Sequence, residues 1–587
     1  MYDRDRVLNI LGWGAFAFSC SVFFLPVINP DIYWHLSAGK YTLAHFGPPH
    51  TDFLSWTKAG AEWVDFEWLP QVFYYLLYKA AGFRALLLFK ALILVLTLLV
   101  FRATVLLYGR RAALPFLLPF FAAAIMSNCD LRPENFSLLF FSITLYFLEK
   151  SRLASLAAGS SDGVPPGSKF RAAVAVFFAL WANMHAGYLY GLALIGLYAG
   201  GECFSEQLPY IYGKGPFVRP GKSVEYLKIF FLGLVSSLAN PYGWKIYAVM
   251  LNHQRYMSTL QDNIQEWAAF NLSNAYQWPY ALALAVVMGS FVYFVLRRRH
   301  AVYPHFAALL FFAWASANHA RHIPFFIMTG LAFTLALPWK KLEPSLSAGA
   351  LCLAAIWWFY SGMVWTQYTG KARLFKWGSE GMAAFLSENR KELAGLKLYN
   401  TWSWGGWIGW ELGPDYKPFI DGRYIFHDRI TEVTELSGNV PNWTRLIAKY
   451  KLDLALIKLD EPNVPVKLRL RNGSESVFWR PTYLFYLPLT DWAVIYWDHT
   501  SAALVRRNSV PAGWLAAREF RYLRPGDTAS LEQPLLTGEV PLSELRRELQ
   551  LYLRGHSTGY DAESGRVIDV VHGLEALCAQ KGAKCAK

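Results

Sequence analysis

Long apolar runs separated by short polar stretches decide most of what this chain can become. A helix that crosses a bilayer needs about 20 consecutive, mostly apolar residues. Runs of this kind, several of them shorter, lie near 8–28, 86–106, 112–128, 135–149, 172–183, 187–203, 228–240, 278–296, 303–318, 323–339 and 346–366. Composition points the same way. The 587 residues are 54% hydrophobic, 17% aromatic and only 17% charged, where an ordinary soluble chain has about a quarter of its residues charged. Mean hydropathy is +0.22, and the aromatic excess suits Trp and Tyr belts at headgroup level. The expectation is a polytopic α-helical membrane protein of about 11 transmembrane helices with a C-terminal soluble α/β domain. Leu8–Ile28 has no small-residue cleavage site behind it, so it reads as a retained first helix.

Charge then orients the spans. With the N-terminus in the cytoplasm, alternate loops carry Arg110 and Arg111; Lys150, Arg152, Lys169 and Arg171; Lys214, Arg219, Lys222 and Lys228; Arg297, Arg298 and Arg299; and Lys340 and Lys341. That is the positive-inside pattern. It predicts a multi-pass protein of the cell inner membrane whose C-terminal domain is periplasmic or otherwise extracytoplasmic. The net charge of +14 is spread between apolar segments rather than gathered in one patch, which argues against nucleic acid as a partner. Residues 155–168, small, polar and Pro-rich, read as a flexible linker.

The opposite loops differ in kind. The first, within 29–85, holds Asp31, His35, Asp52, Glu62, Asp65 and Glu67, a density of acids that places it on a water-exposed face. Later loops bring Asp130, Arg132 and Glu134; Asn183 and His185; Asn240, Asp262 and Glu266; and His319, Arg321 and His322. Asp31 follows Asn29-Pro30 directly after the first span. It is either a general base at a dry–wet boundary, where desolvation raises a carboxylate pKa, or a helix cap or interfacial charge. His35, four residues on, shares its helical face and either orients that carboxylate, touches a phosphate or is structural. Glu67 is a second acid or a loop anchor beside its tryptophans. Arg132 and Arg321 suit a lipid phosphate, which a guanidinium grips through two oxygens. The bland reading for Arg132 is an ion pair with Glu134 or Asp130. Asn183, His185 and Asn240 are weaker candidates, each equally a polar helix cap.

From about Lys371 the pattern changes to turns, short strands and amphipathic helices, so the domain boundary is set at 1–370 and 371–587. LKLYN (396–400), YKPFI (416–420) and LDLALIKL (452–459) read as strands, and 492–507 as a hairpin around Asp498–Ser501. Residues 542–555 and 563–577 read as helices. The Gly405-Gly406 pair either lets a backbone approach a ligand or breaks a strand. The nearby Trp402, Trp404, Trp407 and Trp410 either stack on sugar rings or pack in a core. Asp421 and Arg423 form a turn pair or a substrate contact. Cys578 and Cys585 are a disulfide or two thiols. No Walker, GxGxxG, GxSxG, HExxH or metal-ligand motif is present.

These motifs together resemble the GT-C class of integral-membrane glycosyltransferases, in particular the bacterial branch related to lipopolysaccharide-core glycosyltransferases and protein O-mannosyltransferases. The resemblance lies in NPDIYWHLSAGKYTLAHFGPPHTDFLSWTKAGAEWVDFEWL, LRPEN, NMHAG, ARHIPFF and, in the tail, GGWIGWEL and KPFIDGR. It implies a polyprenyl-phosphate sugar donor, an acceptor that is a glycan, a lipid or a protein, and inverting transfer on the non-cytoplasmic face. It makes Asp31 the first-loop base and Glu67 or Glu134 the second acid. Arg132, Arg321 and His322 would bind donor phosphate, and His35, Glu134, His185, Asp421 and Arg423 would contact substrate. Many members carry two adjacent acids at the first site; here Ile32 follows Asp31, so no cofactor is expected and a divalent metal has no supporting motif. The competing reading, a lipid or glycolipid transporter or flippase, predicts polar residues on both sides of the spans and two matching halves. A non-enzymatic scaffold gives no reason for acids and arginines to meet at span mouths.

Overall fold

The run of apolar segments folds into helices that follow the expected order. The computed structural model describes residues 4–158, 168–213, 221–264, 266–274, 277–297, 303–337, 378–469, 473, 475–555 and 562–581. The expected span near 346–366 lies outside them, as does Cys585. The chain divides into two compact units, residues 1–50 with 64–375, and residues 51–63 with 376–587. A piece of the first loop, Thr51–Trp63, groups with the second unit and not with the helical one.

The first unit is helical: α1 (Arg4–Cys20), α2 (Ile32–His45), α3 (Trp68–Leu107), α4 (Leu114–Ile125), α5 (Glu134–Ala158), α6 (Ser168–Met184), α7 (Tyr188–Ile211), α8 (Lys222–Ser236), α9 (Lys245–Arg255), α10 (Met257–Asn263), α11 (Trp278–Arg297), α12 (Tyr303–Asn318) and α13 (Ile323–Ala336). Among the described residues, Asp5–Phe24 and Trp68–Leu107 are long and apolar enough to cross a membrane, with shorter apolar helices at Arg111–Ile125, Trp278–Phe294 and Ala320–Ala336. α3 is two helices joined at Ala81-Gly82, where Gly82 has a φ of 62°. The break falls just before the apolar run expected near 86–106. Large apolar side chains face outward in rows, among them Leu88, Leu92 and Leu96 on α3 and Leu282, Val286 and Leu296 on α11.

Four helices are pinned by one buried polar knot. Glu149 of α5 accepts from Tyr198 of α7 and from Tyr108 at the end of α3. It pairs with His305 Nε2 of α12 at 2.7 Å, and Arg152 Nε lies 3.4 Å from it. Glu149 and His305 are fully buried. A buried charge is tolerated only when it is paired and hydrogen-bonded, and here each partner comes from a different helix.

The second unit is built on a four-stranded sheet in the order β1-β2-β6-β5, where β1 is Leu398–Asn400, β2 Leu454–Lys458, β5 Trp492–Trp497 and β6 Ser501–Arg506. β1 and β2 are parallel and the other pairs antiparallel. A separate hairpin joins β3 (Asn463–Arg469) to β4 (Glu475–Pro481). Asp498 closes the β5–β6 turn by accepting from the Thr500 and Ser501 amides at 2.8 and 2.9 Å. The helices Leu542–Gly555 and Ala562–Lys581 pack Leu545, Tyr552, Val567 and Val571 into the core beside Trp492 and Phe520.

Two expectations for this unit are corrected. YKPFI is not a strand: the Asn400 side chain takes the backbone of this segment, accepting from Phe419 N at 2.7 Å and donating to Ile420 O at 2.9 Å. Asp421 and Arg423 are not a solvent-facing substrate contact. Arg423 donates to Asp421 through Nε and Nη2 and to Asp52 through Nη1, all three side chains being buried. The Gly405 neighbourhood is likewise packing: a Cβ there would fall 1.9 Å from the Ile420 carbonyl oxygen, and Trp404 and Trp407 are buried.

Candidate active site at the loop ends of the helical unit

The loop that leaves the first span is tied to the loop before α5. Ile28 N donates to the Asp130 carboxylate at 3.1 and 3.3 Å, and Asn29 Oδ1 accepts from Asp31 N at 2.8 Å. These bonds place Asp31 at the start of α2. Its backbone is helical and its carboxylate makes no capping bond, so the helix-cap reading does not describe it. The carboxylate instead lies 3.7 Å from Arg132 Nη2.

Arg132 is shared. Its Nη1 also donates to Glu266, in the segment that follows α10. That segment is fixed to the end of α12 by Arg321 N donating to Glu266 O at 2.9 Å and Ala320 N donating to Ala268 O at 3.0 Å. Trp267 lies against the Arg321 guanidinium, 4.3 Å from its centre. Arg321 Nη2 in turn reaches Glu134, the first residue of α5, at 3.4 Å. Asp31, Arg132 and Glu266 keep 25%, 26% and 31% of their side-chain surface exposed, and Arg321 keeps 17%. A ligand can therefore reach both guanidiniums. Each already has a carboxylate partner, and an incoming anion would have to compete with it.

Glu67 stands just before α3, with His185 Nε2 3.6 Å from its carboxylate. Burial and the neighbouring Asp65 charge push Glu67 up to about 8, against the pull of Arg321 and Arg132. At neutral pH it therefore holds a proton. The exposed-loop expectation is corrected here: Asp52 and Asp65 are buried, and Asp65 accepts from Gln71 Nε2 at 2.7 Å.

Three expected ligands are placed differently. His322 is no phosphate contact, because both ring nitrogens are used: Nδ1 bonds Ala315 O at 3.2 Å and Nε2 meets the Tyr190 hydroxyl at 2.5 Å. His35 is buried between Trp34 and Tyr74, within electrostatic range of Arg132 and His185. Asn183 is structural, holding Trp68 Nε1 and the Ala239 carbonyl. Glu266, read from sequence only as an outer-loop acid, sits at the centre of the cluster. The signal for it was its place beside Trp267 in an outer loop. Among the described residues, no three His, Cys, Asp or Glu side chains group as a metal site.

No protein-family model and no curated protein matches the sequence. Solved structures do match by fold. One is the archaeal oligosaccharyltransferase AglB from Archaeoglobus fulgidus in complex with an inhibitory peptide and a dolichol-phosphate (TM-score 0.53, 9% identity, 98% of this chain and 87% of that one). The apo form of the A. fulgidus oligosaccharyltransferase matches with a TM-score of 0.55 and 10% identity over 96% of this chain and 86% of that one. Its complex with Zn and sulfate matches with a TM-score of 0.51 and 9% identity over 96% and 86%. At such identities the likeness is one of fold: the chain has the GT-C fold that its outer-loop motifs resemble.

Proposed function

We propose that this chain is a membrane glycosyltransferase that moves a sugar from a polyprenyl-phosphate donor to an acceptor on the non-cytoplasmic face. The observation that carries the reading is two ion-paired sets, Asp31–Arg132–Glu266 and Arg321–Glu134, drawn from loops far apart in sequence and joined by the backbone bond from Arg321 N to Glu266 O. The outward apolar rows of the helical unit fit immersion in lipid. The shared fold adds support, since one of those structures holds a dolichol-phosphate and a peptide.

In this mechanism Asp31 takes the proton of the acceptor hydroxyl or amide. The freed electron pair attacks the anomeric carbon as the bond to the phosphate oxygen breaks. The phosphate leaves with that bonding pair, and in-line attack inverts the anomeric centre. Arg132 and Arg321 exchange part of their carboxylate pairing for the phosphate oxygens, a stabilisation that grows as charge develops on the leaving group. Asp31 stays oriented by its contact with Arg132.

The test is transfer from a polyprenyl-phosphate sugar by the purified protein in detergent. Asp31→Asn abolishes transfer while its elution profile and melting curve stay those of the parent. Full activity in that variant removes Asp31 from the mechanism.

A further inference from the structure

His185 is held in one tautomer by Ser137 on α5 and by Gly187 in the turn before α7. Gly187 N donates to His185 Nδ1 at 3.0 Å. A backbone N–H has no other role, so Nδ1 must be the acceptor and the ring proton must sit on Nε2. Ser137 Oγ, on α5, lies 2.9 Å from the same Nδ1. That hydroxyl already accepts from Trp181 Nε1, on α6, at 2.9 Å, which leaves its own proton for Nδ1. The result is a directed chain from Trp181 N–H through Ser137 O–H to His185, ending with Nε2–H turned toward Glu67 at 3.6 Å.

The packing is built for this chain. A Cβ on Gly187 would fall 2.3 Å from Ser137 Oγ, and one on Gly191, a turn further along α7, would fall 2.4 Å from the Trp181 ring. Both glycines are therefore needed to admit the two donors. His185 also closes the last turn of α6, its amide bonded to Trp181 O at 3.0 Å.

We propose that His185 is a positioning residue whose Nε2–H, fixed by Ser137 and Gly187, holds the Glu67 carboxyl in place and cannot take its proton. To act as a base, His185 would need a second proton on Nδ1, where two donors already point. Glu67 therefore does not share its proton with His185. The groups that face it are Asp65 on its own loop, Asp31 at α2, Tyr74 on α3, Arg132 before α5, His185 after α6 and Arg321 before α13. The catalytic part of this inference rests on the transfer reading above; the tautomer does not.

Two measurements separate the two. Imidazole 15N spectra of the full-length protein in detergent show a pyridine-type Nδ1 and a pyrrole-type Nε2 for His185, assigned by loss of the signals in His185→Gln. A pyrrole-type Nδ1 overturns the proposal whether or not the protein transfers sugar. In the transfer assay, loss of the Nε2–H contact that positions Glu67 lowers kcat about ten-fold in His185→Ala. Ionisation of Glu67 puts a negative charge beside Asp31 and lowers activity as pH rises; the midpoint of that fall moves up in His185→Ala, because an N–H that favoured the ionised carboxyl is gone. His185→Gln, which keeps an N–H near the Nε2 position, restores both kcat and midpoint. Equal losses in His185→Ala and His185→Gln with an unmoved midpoint would falsify the positioning role.

Discussion

Asp52 and Arg423 stand 371 positions apart in the chain and meet at 2.7 Å, both side chains wholly buried. Asp421 completes the triad on the other edge of the guanidinium. Trp63 lies against the face, 4.5 Å from its centre. The pair fastens the segment Thr51–Trp63 into the second unit. Breaking a buried pair by removing one partner strands the other charge and costs about 3–5 kcal/mol. Asp52→Ala therefore lowers the melting temperature of the full chain by several degrees and exposes the 51–63 segment to protease. An unchanged melting curve would show that the triad bears no such load.

Arg321 offers a sharper test of donor recognition. Its guanidinium touches Glu134 and the Trp267 ring, and the proposed transfer asks it to meet phosphate. Arg321→Ala should raise KM for the polyprenyl-phosphate donor by about ten-fold or more, the scale of one charge-assisted contact. The acceptor KM should move far less. Equal effects on both substrates would make Arg321 a brace for Glu134 and the 266–268 segment.

The knot around Glu149 makes a prediction about stability alone. Glu149 lies fifteen residues after Glu134 on α5, about 22 Å along the helix at 1.5 Å per residue, so it belongs to no part of the proposed chemistry. Glu149→Ala leaves His305 and two tyrosine hydroxyls without their acceptor. A loss of about 3–5 kcal/mol follows. It is read as a lower denaturation midpoint in detergent, while the donor KM of the folded fraction stays at the parent value.

How much of this was legible in the sequence depends on where the backbone bonds go. Helical spans carry their own hydrogen bonds, so apolar length alone located α5 to α8 and α11 to α13. The alternation of loop charge gathered Asp31, Arg132 and Arg321 on one side; the structure sets Asp31 and Glu266 against Arg132 and ties the Arg321 amide to the Glu266 carbonyl. Side-chain competition for backbone was invisible. Asn400 takes the bonds that would have made YKPFI a strand. The hairpin β3–β4 was missed because Pro465 and Pro481 argue against strands, yet both fit a two-stranded ribbon with open edges. The helices α9 and α10 lay in a stretch too polar to stand out. Which acids would be buried depended on distant partners such as Arg423, which no local window contains.

Glu67 supplies the pH dependence. Burial first, then the Asp65 charge, raises its folded pKa to about 8, from an ordinary value of 4.5. A raised carboxyl contributes stability that is whole below about 4.5 and is lost as pH climbs through about 8. The donor's phosphate feels the same ionisation: a second negative charge beside Asp31 repels it. Donor KM should therefore rise as pH passes through about 8. Glu67→Gln carries no ionisable proton, so its donor KM should stay flat across the same range, and its melting temperature should fall less between pH 6 and 9 than the parent's. KM profiles from pH 6 to 9 for both proteins, with melting curves in the same buffers, check each limb; parallel profiles would assign the titration to another group.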